Sequence, residues 1–456
     1  MTPAHSIHTD EMPSLIVCRG CGHVVPDSEP YPFVCPHAGD GGDHVLHRVL
    51  DYEKVRFPSA EPGSRVEPFV QYRDLLHARH LAVAGGLGDD AFVEIVTGLD
   101  RAVREVDGVG FESTPWRLEG ALGEAAGVGS PVYVKDETGN VSGSHKARHL
   151  FGVLVHLEVV ERLGLASAAD RPPLAIASCG NAALAAAVVA AAGERELLVF
   201  VPTDAEPVVV ERLRSLGATV NECERHEGER GDPTYHALVD AIHNGALPFT
   251  CQGNLNGLAI EGGETLGYEM VSSLAAASDQ LDHIVVQVGG GALASAVAAA
   301  FSEARALGLV ERLPRLHTVQ TEGAWPLKRA FDRVVQLSSC HHGPDRLHWA
   351  LREAAHRRKE YMWPWETAPH SIAHGILDDE TYDWLAVTEA MLTTGGEAVV
   401  VGESELEKAN ALAIETTGIR VDPTGSAGLA GLIKLRQEGV VGPGERTAVL
   451  FTGVIR

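Results

Sequence analysis

The sequence predicts an α/β protein: two open, mostly parallel twisted sheets with helices on both faces, a ligand in the cleft between them, and a small N-terminal element of different make. Three observations carry this. Short apolar runs of strand length alternate with longer segments of helical period, an order that buries a parallel sheet under helices. The breaks after several strands are glycine- or asparagine-bearing loops, where open α/β sheets bind ligands. The first fifty residues lack this alternation and carry paired cysteines instead.

In order along the chain, residues 14–44 hold Cys18-x-x-Cys21 and, fourteen residues on, Cys35-Pro36-His37, a zinc-ribbon spacing. Ala38 stands where a second cysteine of that pair would fall, so His37 or His44 has to serve. The expected metal set is Cys18, Cys21, Cys35 and His37; the competing reading is a ribbon that has lost its ion. Residues 50–80, broken by Pro58, Pro62 and Pro68, read as an extended entry to the next unit. Helical period begins near Asp89, and a turn at 113–118 precedes a strand at 132–134. A helix over 149–163 follows. The regular beat then runs through strand 174–177, helix 182–192, strand 197–201, helix 207–216, a short strand at 219–220 and helix 234–244. A second block holds helix 264–277, strand 283–288, helix 292–308 and strand 316–320. Residues 336–380 interrupt it with a run that includes His341, His342, His348, His356, three tryptophans and several arginines, a length that points to function. The beat returns with helix 379–393, strand 398–401, helices 403–417 and 425–437, and strand 447–451. The expected division is 1–50 for the ribbon, 170–252 for a small α/β domain, and 51–169 with 253–456 for a large one.

Composition narrows the function. At 456 residues, 45% hydrophobic and 22% charged, the chain can fill two or three cores. A net charge of -25 repels phosphate backbones, so a small molecule rather than nucleic acid is the expected partner. No apolar run reaches the ~20 residues of a membrane span, the start has no secretory pattern, and seven scattered cysteines suit a reducing compartment. A cytoplasmic location follows as the expectation.

The chemistry concentrates in three loops and one lysine. Lys146 lies among small residues, Ser142-Gly143-Ser144-His145-Lys146, behind the charged run Lys135-Asp136-Glu137. The loop Ser178-Cys179-Gly180-Asn181 offers amides and hydroxyls to a carboxylate at a helix start. Gly289-Gly290-Gly291-Ala292-Leu293 lets backbone approach a phosphate closely; it also satisfies G-x-G-x-x-A through Ala294, but Glu322 lies too far on for the dinucleotide pattern. Thr452-Gly453 follows the last strand.

Taken together, these segments resemble the tryptophan-synthase-β superfamily of pyridoxal-phosphate enzymes, fold type II, and within it the threonine-synthase-like group. The resemblance rests on Lys135-Asp136-Glu137 with Asn140-x-Ser142-Gly143-Ser144-x-Lys146, on Ala177-Ser178-x-Gly180-Asn181-x-Ala183, and on Glu261-Gly262-x-x-Thr265-x-x-Tyr268-Glu269. The glycine loop, Asp422 to Gly428 and Thr452-Gly453 complete it. It implies pyridoxal 5'-phosphate as cofactor, a small amino acid as substrate, and a homodimer. Lys146 would form the Schiff base and move the Cα proton, which needs an amine kept neutral by its surroundings. Gly289, Gly290, Gly291, Ala292 and Leu293 would hold the phosphate, Asn181 would meet the ring hydroxyl, and Thr452 would meet the ring nitrogen. Ser178, Cys179, Gly180 and Asn181, with His145 alongside, would face the substrate. The implied activity is a lyase or synthase acting at Cβ, by α,β-elimination or β-replacement through an aminoacrylate. Threonine synthase proper and a non-catalytic cofactor-binding regulator are the alternatives. His145 in place of phenylalanine, Ala147 in place of aspartate and Cys179 in place of threonine depart from threonine synthases.

Overall fold

The computed structural model describes residues 12–59, 66–225 and 231–456; residues 1–11 and Pro62 lie outside these. Three sheets form. The N-terminal sheet is antiparallel, with Ser14–Cys18 between Val24–Val25 and Leu46–Leu50. The large sheet has six strands in the order Ala398–Val401, Arg315–Thr321, His283–Gln287, Thr447–Phe451, Val132–Asp136, Trp116–Glu119. Only the last pair is antiparallel. The small sheet is parallel throughout, in the order Thr219–Cys223, Leu197–Pro202, Leu174–Ala177, Leu247–Pro248. The expected α/β architecture with parallel-rich sheets is therefore present.

The large sheet's order sets the site. His283–Gln287, Thr447–Phe451 and Val132–Asp136 are neighbours at its centre, so the loops leaving their carboxyl ends, 288–291, 452–453 and 137–145, emerge side by side. All fifteen residues of these strands are buried, which is why they read as continuous apolar runs instead of an alternation.

Three expectations change. Residues 66–84 are not extended: Pro68 opens the helix Pro68–Gln71 from its first turn, where a missing N–H costs nothing, and His77–Ala84 follows. The helices Asp89–Asp107 and Lys146–Arg162, expected with the large sheet, share an apolar core with the small sheet and its helix Asn181–Ala192, through Phe92, Leu150, Ile176 and Val188; a boundary at 169 runs through that core. The interruption at 336–380 is helical only in its first half, with the end of Pro326–Ser339, then Arg346–His356 and Arg358–Tyr361, and is irregular from 362 on apart from the turn His374–Ile376. Its tryptophans serve packing: the Arg329 guanidinium lies 3.6 Å from the Trp363 ring centre, and His341 stacks on Trp349. Among the described residues no helix is long and apolar enough to cross a membrane.

In the N-terminal element the donor atoms that gather within 4.8 Å of one another belong to Cys18, Cys21, Cys35 and His44. His37, expected as the fourth ligand, brings its Nδ1 to 3.4 Å from the Cys21 sulfur and packs edge-on against the His44 ring, but is not among the four. Asp40 bonds the far nitrogen of His44 and turns the near one inward; residue spacing alone could not distinguish the two histidines.

Candidate active site

Lys146 begins the helix Lys146–Arg162 directly, three residues earlier than its apolar period indicated. The chain reaches it through a strained turn, Ser142 at φ 56° and Gly143 at φ 67°, steadied by the Asp107 carboxylate, which accepts the Ser142 N–H at 2.7 Å. Ser144 then pairs with Gly453 in an isolated antiparallel bridge, and the His145 N–H donates to the Thr452 carbonyl at 3.3 Å. The lysine loop and the terminal threonine are thus in contact despite some three hundred intervening residues.

The Lys146 amine is half-buried, and its charge acts on His145, His149, Cys251, Asp378 and Asp383. Burial first, and Lys146 second, hold the His145 imidazole well below its ordinary value. The ring is neutral at physiological pH, and its Nδ1 faces the Thr452 carbonyl at 3.3 Å while Nε2 has no hydrogen-bond partner. His149 is likewise depressed, to about 3, by burial and then Lys146.

The glycine loop leads into the helix Ala292–Ala306, with Gly291 in the left-handed region at φ 100°. A Cβ on Gly289 would lie 2.2 Å from an Asp378 carboxylate oxygen, and one on Gly291 3.0 Å from the Asp383 Cβ. No side chain fits in this cradle. Asp378 accepts the Gly290 N–H; burial pushes its carboxyl up to about 6 against the opposing pull of Lys146. A carboxyl of the protein itself thus stands against the loop. Thr381 donates to the Gly289 carbonyl at 2.9 Å, and the Asp383 N–H to that of Gly290 at 3.0 Å.

Thr452 is buried, and the Gln287 amide donates to its hydroxyl oxygen at 2.7 Å, as well as to the Gly425 and Leu450 carbonyls at 2.9 and 3.1 Å. With three acceptors around it, the Gln287 nitrogen can sit only as described, and the Thr452 hydroxyl proton is left to point elsewhere. Asn181 uses both ends of its amide on the protein: Oδ1 accepts from Arg456 at 2.7 Å, and the other end meets Asp422. The same Arg456 nitrogen donates to the Ser142 carbonyl at 2.8 Å, tying the Asn181 loop to the lysine loop. Ser178 receives the Gly180 N–H at 3.4 Å, and Cys179 and Gly180 are exposed. Although Cys179 is open to solvent, the crevice wall and then Asp204 raise its thiol, the opposite of what a nucleophilic thiolate needs.

Gln287, Asp378, Thr381 and Arg456 escaped the sequence reading. The acidic run Asp378-Asp379-Glu380 was the one available signal; a glutamine at a strand end and a terminal arginine carry none. A groove of about 410 Å³ lies between Leu46–Leu50 and the helix Ala292–Ala306 and shares none of the expected cofactor residues.

A lysine, a glycine loop with no room for side chains and a hydroxyl fixed by an amide thus lie together at the carboxyl edge of the three central parallel strands of one sheet. The family model described as pyridoxal-phosphate dependent enzyme matches residues 110–453. The chain belongs to this family. Its members bind pyridoxal phosphate, and the cofactor expected from the sequence stands. Threonine synthase from Methanocaldococcus jannaschii is 25% identical over 440 residues, covering 96% of this chain and 91% of that protein. Cysteate synthase from Methanoregula boonei is 25% identical over 326 residues, 68% of each chain. The processed form of threonine deaminase isoform 2 from Solanum lycopersicum superposes with a TM-score of 0.56 at 17% identity, over 80% of this chain and 90% of that one; this last likeness speaks to the fold alone.

Proposed function

We propose that the protein is a pyridoxal-phosphate-dependent lyase or synthase that removes or replaces a substituent at Cβ of a small amino acid. The carrying observation is the Gln287–Thr452 contact. A hydroxyl whose oxygen already accepts from an amide presents its proton, so Thr452 would donate to the ring nitrogen and leave it uncharged. When bound, the cofactor supplies a conjugated electron sink for the electrons of the broken Cα–H bond. A sink softened by a neutral ring nitrogen favours prompt loss of a leaving group at Cβ.

Each residue has a place in this reading. Lys146 would hold the cofactor's carbonyl carbon and carry the Cα proton. The amides of Gly289 to Leu293 would take the phosphate, for which Asp378 at the Gly290 N–H is the protein's own stand-in. The exposed amides of Cys179 and Gly180, with Ser178, would grip the substrate carboxylate. Asn181 would meet the ring only by exchanging its Arg456 or Asp422 partner. His145, neutral and with a free Nε2 lone pair, would accept a hydrogen bond from the substrate and could not serve as an acid.

Threonine synthase is the second reading, favoured by the relative that spans nearly the whole chain; His145 in place of phenylalanine weighs against it. The test is borohydride reduction and peptide mapping, with product assays in parallel. We expect the cofactor fixed on the Lys146 peptide, and pyruvate or ammonia released from serine, cysteine or phosphoserine. Phosphate release from phosphohomoserine alone would favour threonine synthase. Cofactor bound at Lys146 without turnover of any of these would favour a regulator, and no cofactor at Lys146 would sink all three.

A further inference from the structure

We propose that Cys18, Cys21, Cys35 and His44 bind a structural zinc ion, and that this ion fixes the turn by which the N-terminal element locks onto the helical insert. The four donor atoms lie within 4.8 Å of one another, and all three thiols are free. A tetrahedral zinc site with Zn–S near ~2.3 Å and Zn–N near ~2.05 Å has S···S edges of about 3.8 Å and S···N edges of about 3.6 Å. The Cys21 and Cys35 sulfurs are 3.7 Å apart, and the Cys18 sulfur is 3.5 Å from His44 Nδ1. The structure thus has edges of the right length before any ion is added.

Backbone turns present the thiols. In the first knuckle Gly22 N–H donates to the Cys18 carbonyl and Cys18 N–H to the His23 carbonyl, with Gly22 at φ 73°; in the second, Ala38 N–H donates to the Cys35 carbonyl. His44 is held from behind: its Nε2 meets an Asp40 carboxylate oxygen at 2.9 Å. That contact places the ring proton on Nε2 and leaves the Nδ1 lone pair facing the sulfurs, the arrangement by which a carboxylate orients a metal-bound imidazole. Three soft thiolates and one imidazole, with no fifth donor in the group among the described residues, describe a closed zinc site with no open catalytic position.

The ion's structural role follows from what His44 is joined to. The preceding residue, Asp43, is buried; its N–H donates to the Ala355 carbonyl at 2.8 Å, and its carboxylate accepts from the Trp384 indole N–H at 2.8 Å with Arg358 at 3.4 Å. Gly20, between the first two cysteines, packs so closely that a Cβ would lie 1.5 Å from the Asp43 carbonyl oxygen. Trp384 is adjacent to Asp383, which bonds the Gly290 carbonyl. A continuous set of contacts therefore joins the thiol cluster to the helix Trp384–Thr394 and the insert, independent of any reading of the catalytic reaction.

The test is metal analysis of the full chain purified after growth with zinc, followed by cobalt(II) exchange. We expect about one zinc per chain and, with cobalt, the intense d–d bands of a tetrahedral thiolate-rich site. Chelation should lower the melting temperature. His44→Ala and Cys35→Ser should lose the ion, His37→Ala should keep it, and Asp40→Ala should weaken affinity by about 10–100-fold. The exposed His37 and Asp40 variants keep the test decisive if the buried ones fail to fold. Absence of zinc with no cobalt uptake, or loss of the ion in His37→Ala with retention in His44→Ala, would overturn the assignment.

Discussion

Two buried arginines reach carboxylates of the same helix, Ala259–Ala276, and differ in one respect, charge balance. Arg148, two residues after Lys146, binds Glu137 at 2.9 Å and Glu269 at 2.7 Å, while Lys135 also donates to Glu269 at 2.5 Å. Two cations face two carboxylates. Arg48, on the N-terminal strand Leu46–Leu50, binds Glu264 and Glu303 at 2.5 Å each and has Glu261 at 4.0 Å. One cation faces three. Burial pushes the Glu269 carboxyl up, yet Arg148 and Lys135 bring it below the usual carboxylate range. In the other cluster burial wins: Glu261 rises to about 7, and Glu264 rises well above its ordinary value despite Arg48. The first cluster is a fixed footing for the lysine loop; the second, joining the N-terminal element to the body, holds protons in place of missing cations.

Arg148→Met should have the largest effect. It strands Glu137 and Glu269 in the interior with Lys135 alone, and breaking a buried pair in this way costs about 3–5 kcal/mol; equilibrium denaturation near neutral pH measures it. Arg48→Met should cost clearly less at pH near 6, because its carboxyls can take up protons when the guanidinium goes. Equal losses would break the comparison. Smaller again is the contrast between two glutamine variants on the one helix. Glu269→Gln should destabilise, by about 1–3 kcal/mol, since it removes a charge that two cations require. Glu264→Gln should be neutral or stabilising at pH near 8, since it removes a charge the cluster is short of cations to hold. A Glu264→Gln protein as weakened as Glu269→Gln would show that geometry, not charge balance, governs both.

These clusters also mark what could be read from sequence. Lys146, the glycine loop and Thr452 stand out in the sequence because each is a short motif readable from its immediate neighbours, and the structure brings their loops to one sheet edge. The strands at 174–177, 398–401 and 447–451 were legible to the residue because their apolar runs end at turns. Arg148 and Glu269 are 121 residues apart, and Arg48 and Glu303 are 255 apart; nothing local in an arginine or a glutamate says which will meet. Pro68 was misread because a proline breaks a helix interior but suits its first turn. Gln287 was invisible for a related reason, since it acts on a loop delivered by a different strand, and Asp378 showed only as part of the acidic run 378–380.

The smallest expected effect is a change of slope with pH. A carboxyl raised in the folded state, such as Glu261 at about 7 against an ordinary 4.5, binds a proton more tightly folded than unfolded. Its contribution is complete below the unfolded value and is lost as pH rises from about 4.5 to about 7. Glu269, lowered in the fold, works the other way: its contribution is present above the unfolded value and is lost as pH falls through the folded one. The wild type should therefore lose stability between about pH 5 and 7 through the Arg48 cluster and at acid pH through the Arg148 cluster. Glu261→Gln combined with Glu264→Gln should flatten the first limb and leave the second; Glu269→Gln should do the reverse. Glu67, Asp378 and Asp383 are also raised by burial, but they contribute alike to wild type and variants, so the difference between urea midpoints isolates the clusters. If both variants kept the wild-type slope on both limbs, the two arginine clusters would be equivalent and charge balance would explain nothing.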